Sequence, residues 1–180
     1  SSINTTCNGD TDGSATVTVT GGNSPYTYSW NDPANQTNAT ATNLAPGTYS
    51  VTTTDALGCV TTSTVTITEP DVLALTTSGT NASCGNSDGV AAVSVTGGTP
   101  SYNYLWSDGL SQTNASATGL AAGTYDVTVT DANLCNNTAS ETIFNTGGPT
   151  VTATSTDVTC NGGNDGTAIA TPSGGQVPFT

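Results

Sequence analysis

The chain repeats itself at a spacing of about 76 residues, and nothing else in the sequence narrows the choice of fold so far. Tyr26-Thr27-Tyr28-Ser29-Trp30 returns as Tyr102-Asn103-Tyr104-Leu105-Trp106, and Gln36-Thr37-Asn38-Ala39 returns as Gln112-Thr113-Asn114-Ala115. Leu44-Ala45-Pro46-Gly47-Thr48-Tyr49-Ser50-Val51 returns as Leu120-Ala121-Ala122-Gly123-Thr124-Tyr125-Asp126-Val127, and Asp55 and Cys59 recur as Asp131 and Cys135. A third copy opens at Cys160, and its aromatic strand is due at Phe179-Thr180. Self-similarity at such a period means that each copy is one structural unit leaning on its neighbours. The copies divide the chain into residues 1–70, 71–147 and 148–180. The last is an incomplete repeat, expected to continue in a longer chain or to be completed by another subunit.

Within a copy, apolar residues follow period two, the spacing of a strand with one buried face. Ala15, Val17 and Val19 alternate with threonines, and Gly21-Gly22 ends the run. Tyr26, Tyr28 and Trp30 share the next face, a weaker strand follows around residues 39–42, and Tyr49, Val51 and Thr53 share another up to Asp55. Val65 and Ile67 point inward on the closing strand, Glu69-Pro70 punctuates, and Leu73 and Leu75 begin the next copy. No helical period appears. The expected fold is all-β: tandem immunoglobulin-like antiparallel sandwiches of about 76 residues. The expected core is Tyr26, Tyr28, Trp30, Tyr49 and Val51 in copy one, with Tyr102, Tyr104, Trp106, Tyr125 and Val127 in copy two. Modules of this size sit near the lower limit for an unaided core, so a disulfide or a neighbour is expected to help.

Composition removes whole classes of function. The formal net charge is −13, with no Lys, Arg or His. Nucleic-acid binding relies on cations that displace phosphate counterions, and attraction to anionic membranes needs the same side chains. No apolar run approaches the ~20 residues of a membrane helix. Without His or Lys, acid–base chemistry falls to the carboxylates alone, and these recur at repeat positions instead of forming one singular pair. The chain therefore reads as non-enzymatic. Having no Met and no signal peptide, it also reads as a processed or excised piece.

Five cysteines in an exported chain point to disulfides. Two schemes fit the spacing. Cys7–Cys59 with Cys84–Cys135 lies within repeats, whereas Cys59–Cys84 with Cys135–Cys160 joins each closing strand to the next opening strand. Each leaves one cysteine over. In a standard immunoglobulin-like topology Cys7 and Cys59 stand at opposite poles, which counts against the first scheme without deciding between the two. A hairpin through Glu69-Pro70 would align Cys59 with Cys84 but turns Leu73 and Leu75 the wrong way unless a bulge restores them. Poles meeting end to end would also let Cys7 reach Cys135.

Asn8-Gly9-Asp10-Thr11-Asp12-Gly13 matches the opening of a calcium loop, with Asn8, Asp10 and Asp12 as the oxygen ligands. The acidic residue such a loop needs at its twelfth position is replaced by Val19. The competing reading is an Asx/Gly turn between strands. Apart from calcium, no cofactor is expected. Asp55 and Asp131 are read as caps of the turn that follows them. Trp30 and Trp106 can be read as core residues or as stacking platforms for sugar rings, and their alternation with tyrosines favours the core.

The pattern T-C-N-G-x-x-D-G-x-A-x-V, then T-G-G-x-x-P-Y-x-Y-x-W, then L-x-x-G-x-Y-x-V-x-x-x-D-A-x-x-C and a strand ending in E-P resembles the SprB-type repeat of giant surface adhesins of gliding Bacteroidetes. Copy two departs from it by a cysteine loop one residue shorter and by Asn145-Thr146-Gly147-Gly148-Pro149 in place of Glu-Pro. The resemblance implies extracellular, cell-surface filaments that contact a substratum. The leading functional expectation is a structural fibre or adhesin stalk whose partners are neighbouring repeats, with surface polysaccharide or substratum as an outer partner. Two rivals are a carbohydrate-binding module array and a filament subunit polymerising by strand donation. An ice- or mineral-binding face would need a flat threonine ladder, which twisted sandwiches seldom provide.

Overall fold

The computed structural model describes residues 1–174, so the third copy's aromatic strand at Phe179-Thr180 lies outside the described residues. Every regular element described is a strand. Repeat 1 contains β1 (Ser2–Ile3), β2 (Gly13–Thr16), β3 (Thr27–Trp30), β4 (Thr40–Leu44), β5 (Gly47–Thr54) and β6 (Val60–Ile67). They form two antiparallel sheets, ordered β1-β2-β4 and β3-β5-β6. First, second and fourth strands in one sheet, with third, fifth and sixth in the other, is the strand order of an immunoglobulin sandwich without its fourth strand D. The corner tyrosine of that fold is also present: Tyr49, near the start of β5, donates from its hydroxyl to the Ala45 carbonyl at 2.9 Å.

The register shows why this sequence builds two faces. β5 and β6 pair from Gly47↔Ile67 to Thr54↔Val60, and β3 pairs β5 through Trp30↔Val51. Side chains alternate across a strand, so Tyr49, Val51 and Thr53 turn to one side and the intervening Thr and Ser residues to the other. Ala15, Ala41 and Leu44 from one sheet meet Trp30, Tyr49, Val51 and Ile67 from the other in a single buried cluster, with Val17, Tyr28 and Val65 packed at its margin. Each large apolar side chain buried this way contributes about 1.5–3 kcal/mol. Gly13 opens β2 because nothing larger fits: an added Cβ would lie 2.8 Å from Ile67 Cγ2 and 2.8 Å from the Leu44 carbonyl oxygen.

Repeat 2 rebuilds the plan with β7 (Ala74–Thr80), β8 (Ala82–Ser83), β9 (Gly89–Thr96), β10 (Asn103–Trp106), β11 (Ser116–Leu120), β12 (Gly123–Thr130), β13 (Asn136–Ile143) and β14 (Asn145–Thr146). Its sheets are ordered β11-β9-β7 and β10-β12-β13, and the short β14 runs parallel to β8. Ala91, Trp106, Ala117, Leu120, Val127 and Ile143 are buried. They stand one repeat length after Ala15, Trp30, Ala41, Leu44, Val51 and Ile67. The third copy begins with β15 (Thr150–Thr156) and β16 (Thr167–Ser173), an antiparallel ribbon paired from Thr150↔Ser173 to Thr156↔Thr167 and exposed along both strands.

The compact units cut across the sequence repeats. One comprises Ser1–Leu75, Val95–Asn103 and Thr128–Thr138; the other comprises Thr76–Ser94, Tyr104–Val127 and the chain from Ala139 onward.

Candidate functional site

The polar residues that recur between copies are engaged by the chain itself. Asp32 is 3 % exposed. Its Oδ1 accepts the Gln36 N–H at 2.9 Å, and its Oδ2 accepts the Ala34 N–H at 3.1 Å and Gln36 Nε2 at 3.0 Å. Gln36 in turn clamps β4, donating to the Thr42 carbonyl at 2.9 Å and accepting the Thr42 N–H at 3.0 Å. Asp108, Gln112 and Thr118 repeat the arrangement in copy two. Burial pushes the Asp32 and Asp108 carboxyls up, but the bonds from the glutamine side chain and from the loop N–H groups outweigh it, and both settle below the usual aspartate range. The braced loop also receives the tryptophan, since Trp30 Nε1 donates to Asn38 O and Trp106 Nε1 to Asn114 O, each at 2.9 Å.

A second carboxylate secures the turn ahead of each closing strand. Asp55 accepts the N–H groups of Leu57, Cys59 and Asn23 at 2.9–3.0 Å. The bonds from Cys59 and then Asn23 hold its carboxyl below the usual range. Asp131 accepts those of Asn133, Cys135 and Thr99 at 2.8–3.0 Å and is fully buried. The turn places Gly58 at φ 81° in copy one, while Leu134 takes the same place at φ 69° in copy two.

The third recurring carboxylate is that of the cysteine loop. Asp12 accepts from the Thr6 hydroxyl and, at 2.9 Å, from the Thr6 N–H. Asp88 does the same with Ser83, and Asp165 with Thr159. In each case the hydroxyl bond, followed by the N–H bond, lowers the carboxyl below its ordinary value. Asn8 Nδ2 donates to the Pro70 carbonyl at 3.0 Å, and the Gly9 N–H to Glu69 Oε2 at 2.7 Å. Asn8 and Asp12 are thus drawn to different parts of the protein, and Asp10 lies exposed. Among the described residues, no three His, Cys, Asp or Glu side chains come close enough to hold a metal ion.

The expected core residues fall into two groups. Trp30, Tyr49, Val51, Trp106 and Val127 are buried, with the tryptophans 2 % and 1 % exposed. Tyr26, Tyr28, Tyr102, Tyr104 and Tyr125 are half-buried. Tyr26 and Tyr102 spend their hydroxyls on the Gly21 and Gly97 carbonyls at 2.7 Å, and Tyr125 donates to Ala121 O at 3.0 Å. Neither tryptophan offers a ring face for a sugar.

The cysteine pairing corrects both local schemes. Cys7 is bonded to Cys135, with Cα atoms 5.8 Å apart, while Cys59, Cys84 and Cys160 are unbonded and exposed. Cys7–Cys59 fails because Asn8 sits beside Pro70, past one end of β6, while Cys59 precedes the other end. Eight residues of strand separate the two by ~27 Å. Cys59–Cys84 fails because β6 and β7 belong to different sheets and no hairpin forms through Glu69-Pro70. Cys135–Cys160 fails because Cys135 is already taken. At this pole Asn133 Nδ2 also donates to the Thr6 carbonyl at 3.0 Å.

The recurrence of these devices in register is matched at the level of sequence families. The family described as SprB repeat matches residues 2–35, 76–111 and 152–180, together more than half of the chain. The chain belongs to the SprB repeat family. No curated protein matches it. Among solved structures, this SprB-repeat chain is similar to an amphioxus IgVJ-C2 molecule at 14 % identity, covering 73 % of this chain and 94 % of that one with a TM-score of 0.36. It is also similar to murine CEACAM1b at 13 % identity, covering 66 % and 85 % with a TM-score of 0.30. At that level of likeness nothing about ligand or role is transferred.

Asp32 and Asp108 escaped the sequence reading. The signal was there, because the two aspartates hold the same place in successive copies and each lies four residues ahead of the repeated Gln.

Proposed function

We propose that this SprB-repeat chain is a length of extracellular fibre or adhesin stalk at the cell surface, with neighbouring repeats as its main partners and no catalytic role. The observation that carries the reading is that the recurring polar residues are spent on bracing loops. Asp32, Asp55, Asp12 and their counterparts each accept two or more N–H or hydroxyl bonds from their own module. An enzyme keeps a base or nucleophile facing a reactant; these carboxylates face the backbone. The family match in three consecutive copies supports a spacer built by repetition. The strongly negative surface would keep neighbouring fibres apart.

Immunogold labelling of intact, unpermeabilised cells with antibody to the purified chain tests the reading. Label along surface filaments is the expected result. Label confined to the cell interior overturns it, and so does glycan-array binding by the chain lost on a single substitution outside the bracing residues, which would favour the carbohydrate-binding alternative.

A further inference from the structure

The chain passes from repeat 1 to repeat 2 through Glu69-Pro70-Asp71-Val72, and both repeats close on these few residues. On one side stands the cysteine loop of repeat 1. Asn8 Nδ2 donates to the Pro70 carbonyl at 3.0 Å and the Gly9 N–H to Glu69 Oε2 at 2.7 Å. On the other side stands the turn between β9 and β10, where the Gly98 N–H donates to Asp71 O at 2.9 Å. A Cβ on Gly97 would lie 2.0 Å from the Val72 carbonyl oxygen, so only glycine lets the linker lie against this turn. Leu73 anchors the far end: it is 7 % exposed, and its carbonyl accepts Asn137 Nδ2 at 2.8 Å.

These contacts form a ring. Asp131 Oδ2 accepts the Thr99 N–H at 2.8 Å, next to Gly98, and its Oδ1 accepts the Cys135 N–H at 3.0 Å. Cys135 is bonded to Cys7, the neighbour of Asn8. From Asn8 the path therefore runs through Pro70-Asp71, Gly98-Thr99, Asp131 and Cys135 and returns to Cys7. Asn133 Nδ2 adds a bond to Thr6 O at 3.0 Å, and Asp12 fixes Thr6 by accepting its N–H and its hydroxyl. All of these residues fall in one compact unit, although they come from two repeats.

Apart from the chain itself, one link in the ring is covalent, and chemistry can open it. The others are hydrogen bonds, those of Asn8 and Gly9 exposed to water, and each is weak when it stands alone. A closed ring holds every link in place. With the disulfide parted, the two repeats are joined by the linker and by such contacts only, and motion is the ordinary behaviour of modules so connected. Cys7 and Cys135 are half-buried, and a cavity of about 360 Å³, lined also by Val72 and Leu134, opens beside them. A small thiol can thus reach the sulfurs, which exchange requires. No member of the repeat 1 core cluster belongs to the ring.

We propose that Cys7–Cys135 is a redox lock on the joint between repeats 1 and 2. Oxidised, it keeps the linker seated. Reduced, it releases the linker from the cysteine loop and from the Gly97-Gly98 turn while both sandwiches stay folded. In the opening step the two thiols of a small dithiol lose two electrons and two protons and become a disulfide, and Cys7 and Cys135 take these up as thiols. The lock does not rest on the cell-surface reading, since it needs only the two cysteines and a dithiol in solution.

The test is amide hydrogen exchange of the whole chain with and without dithiothreitol, after the exposed thiols of Cys59, Cys84 and Cys160 have been alkylated to keep them out of the reaction. Reduction should speed exchange at Gly9 and Gly98 at least ~10-fold and leave Val51 and Val127 unchanged. The double variant Cys7→Ser with Cys135→Ser should show the fast exchange without reductant and respond no further to it. Unchanged exchange at Gly98, once mass measurement shows reduction to be complete, overturns the lock. Equal acceleration at Val51 and Val127 also overturns it, because the modules then unfold instead of unlocking. A reductant effect that persists in the double variant does the same.

Discussion

Asp108→Asn changes one oxygen to an amide nitrogen at constant shape, which makes it a sharp probe of the loop brace. The aspartate accepts three bonds: the Gln112 N–H at 2.9 Å on Oδ1, and Gln112 Nε2 at 3.0 Å and the Leu110 N–H at 3.2 Å on Oδ2. An asparagine keeps at most the two on one side, and its NH₂ then faces the Gln112 N–H, donor against donor. Leaving that part-buried N–H unsatisfied costs about 1–3 kcal/mol. The surviving bonds lose their charge assistance, which adds about 1 kcal/mol. The expected loss is about 2–4 kcal/mol, measured by urea denaturation at pH 7. Asp32→Asn should match it, because the same three bonds recur there at nearly the same lengths.

The pH dependence supplies a second reading of the same variant. The Asp108 carboxyl titrates below its ordinary value in the folded protein. Its contribution is therefore present above the unfolded value of ~3.9 and is lost as pH falls through the folded one. The gap between wild type and variant should hold steady from neutral pH to about 5 and narrow below about 4. A variant within ~0.5 kcal/mol of wild type at pH 7, or a gap unchanged at pH 3, would refute the reasoning.

Three further outcomes follow from the same structure. With 13 Asp and Glu and no Lys, Arg or His, the side chains carry charge of one sign; added NaCl should therefore raise the thermal midpoint steadily between about 0.01 and 0.5 M, and a fall would contradict net self-repulsion. Leu134→Gly should raise stability by about 0.5–1 kcal/mol in urea titrations, since a 77 %-exposed leucine at φ 69° carries left-handed strain that Gly58 avoids in copy one. Gly13→Ala should cost about 1–3 kcal/mol, because the new methyl meets Ile67 Cγ2 and the Leu44 carbonyl at 2.8 Å, and a thermal midpoint equal to wild type would show that β2 yields.

The fold was legible because period-two faces and a fixed repeat both survive in a one-dimensional string. Tyr49 and Val51 on one face of β5 follow from alternation alone, whereas the register that sets Trp30 opposite Val51 comes from the structure. The disulfide was legible only as one option among three, because spacing within a repeat says nothing about which poles of successive repeats meet. Cys7 and Cys135 are separated by 128 positions and were singled out only with the poles in place. The aspartate braces were half legible. Asp55 reads as a turn cap from its neighbours Ala56-Leu57-Gly58, whereas Asp32 serves a partner four residues on and a strand beyond it. The carboxylates of the cysteine loop left two readings open because an Asx turn and a cation loop draw on the same residues; at Asp12, Thr6 supplies both donors of the turn.

The Cys7–Cys135 bond also governs what happens when such a chain is pulled from its two ends. Tension entering near the N-terminus crosses at the seventh residue to the hundred-and-thirty-fifth and skips everything between. Across a separation of 128 positions, at up to ~3.4 Å each, roughly 430 Å of contour is withheld from stretching while the bond stands. The intervening sheets can melt under heat or urea without lengthening the covalent path between the two cysteines. Extensibility of the chain is therefore set by the redox state of its surroundings before it is set by the strength of its strands.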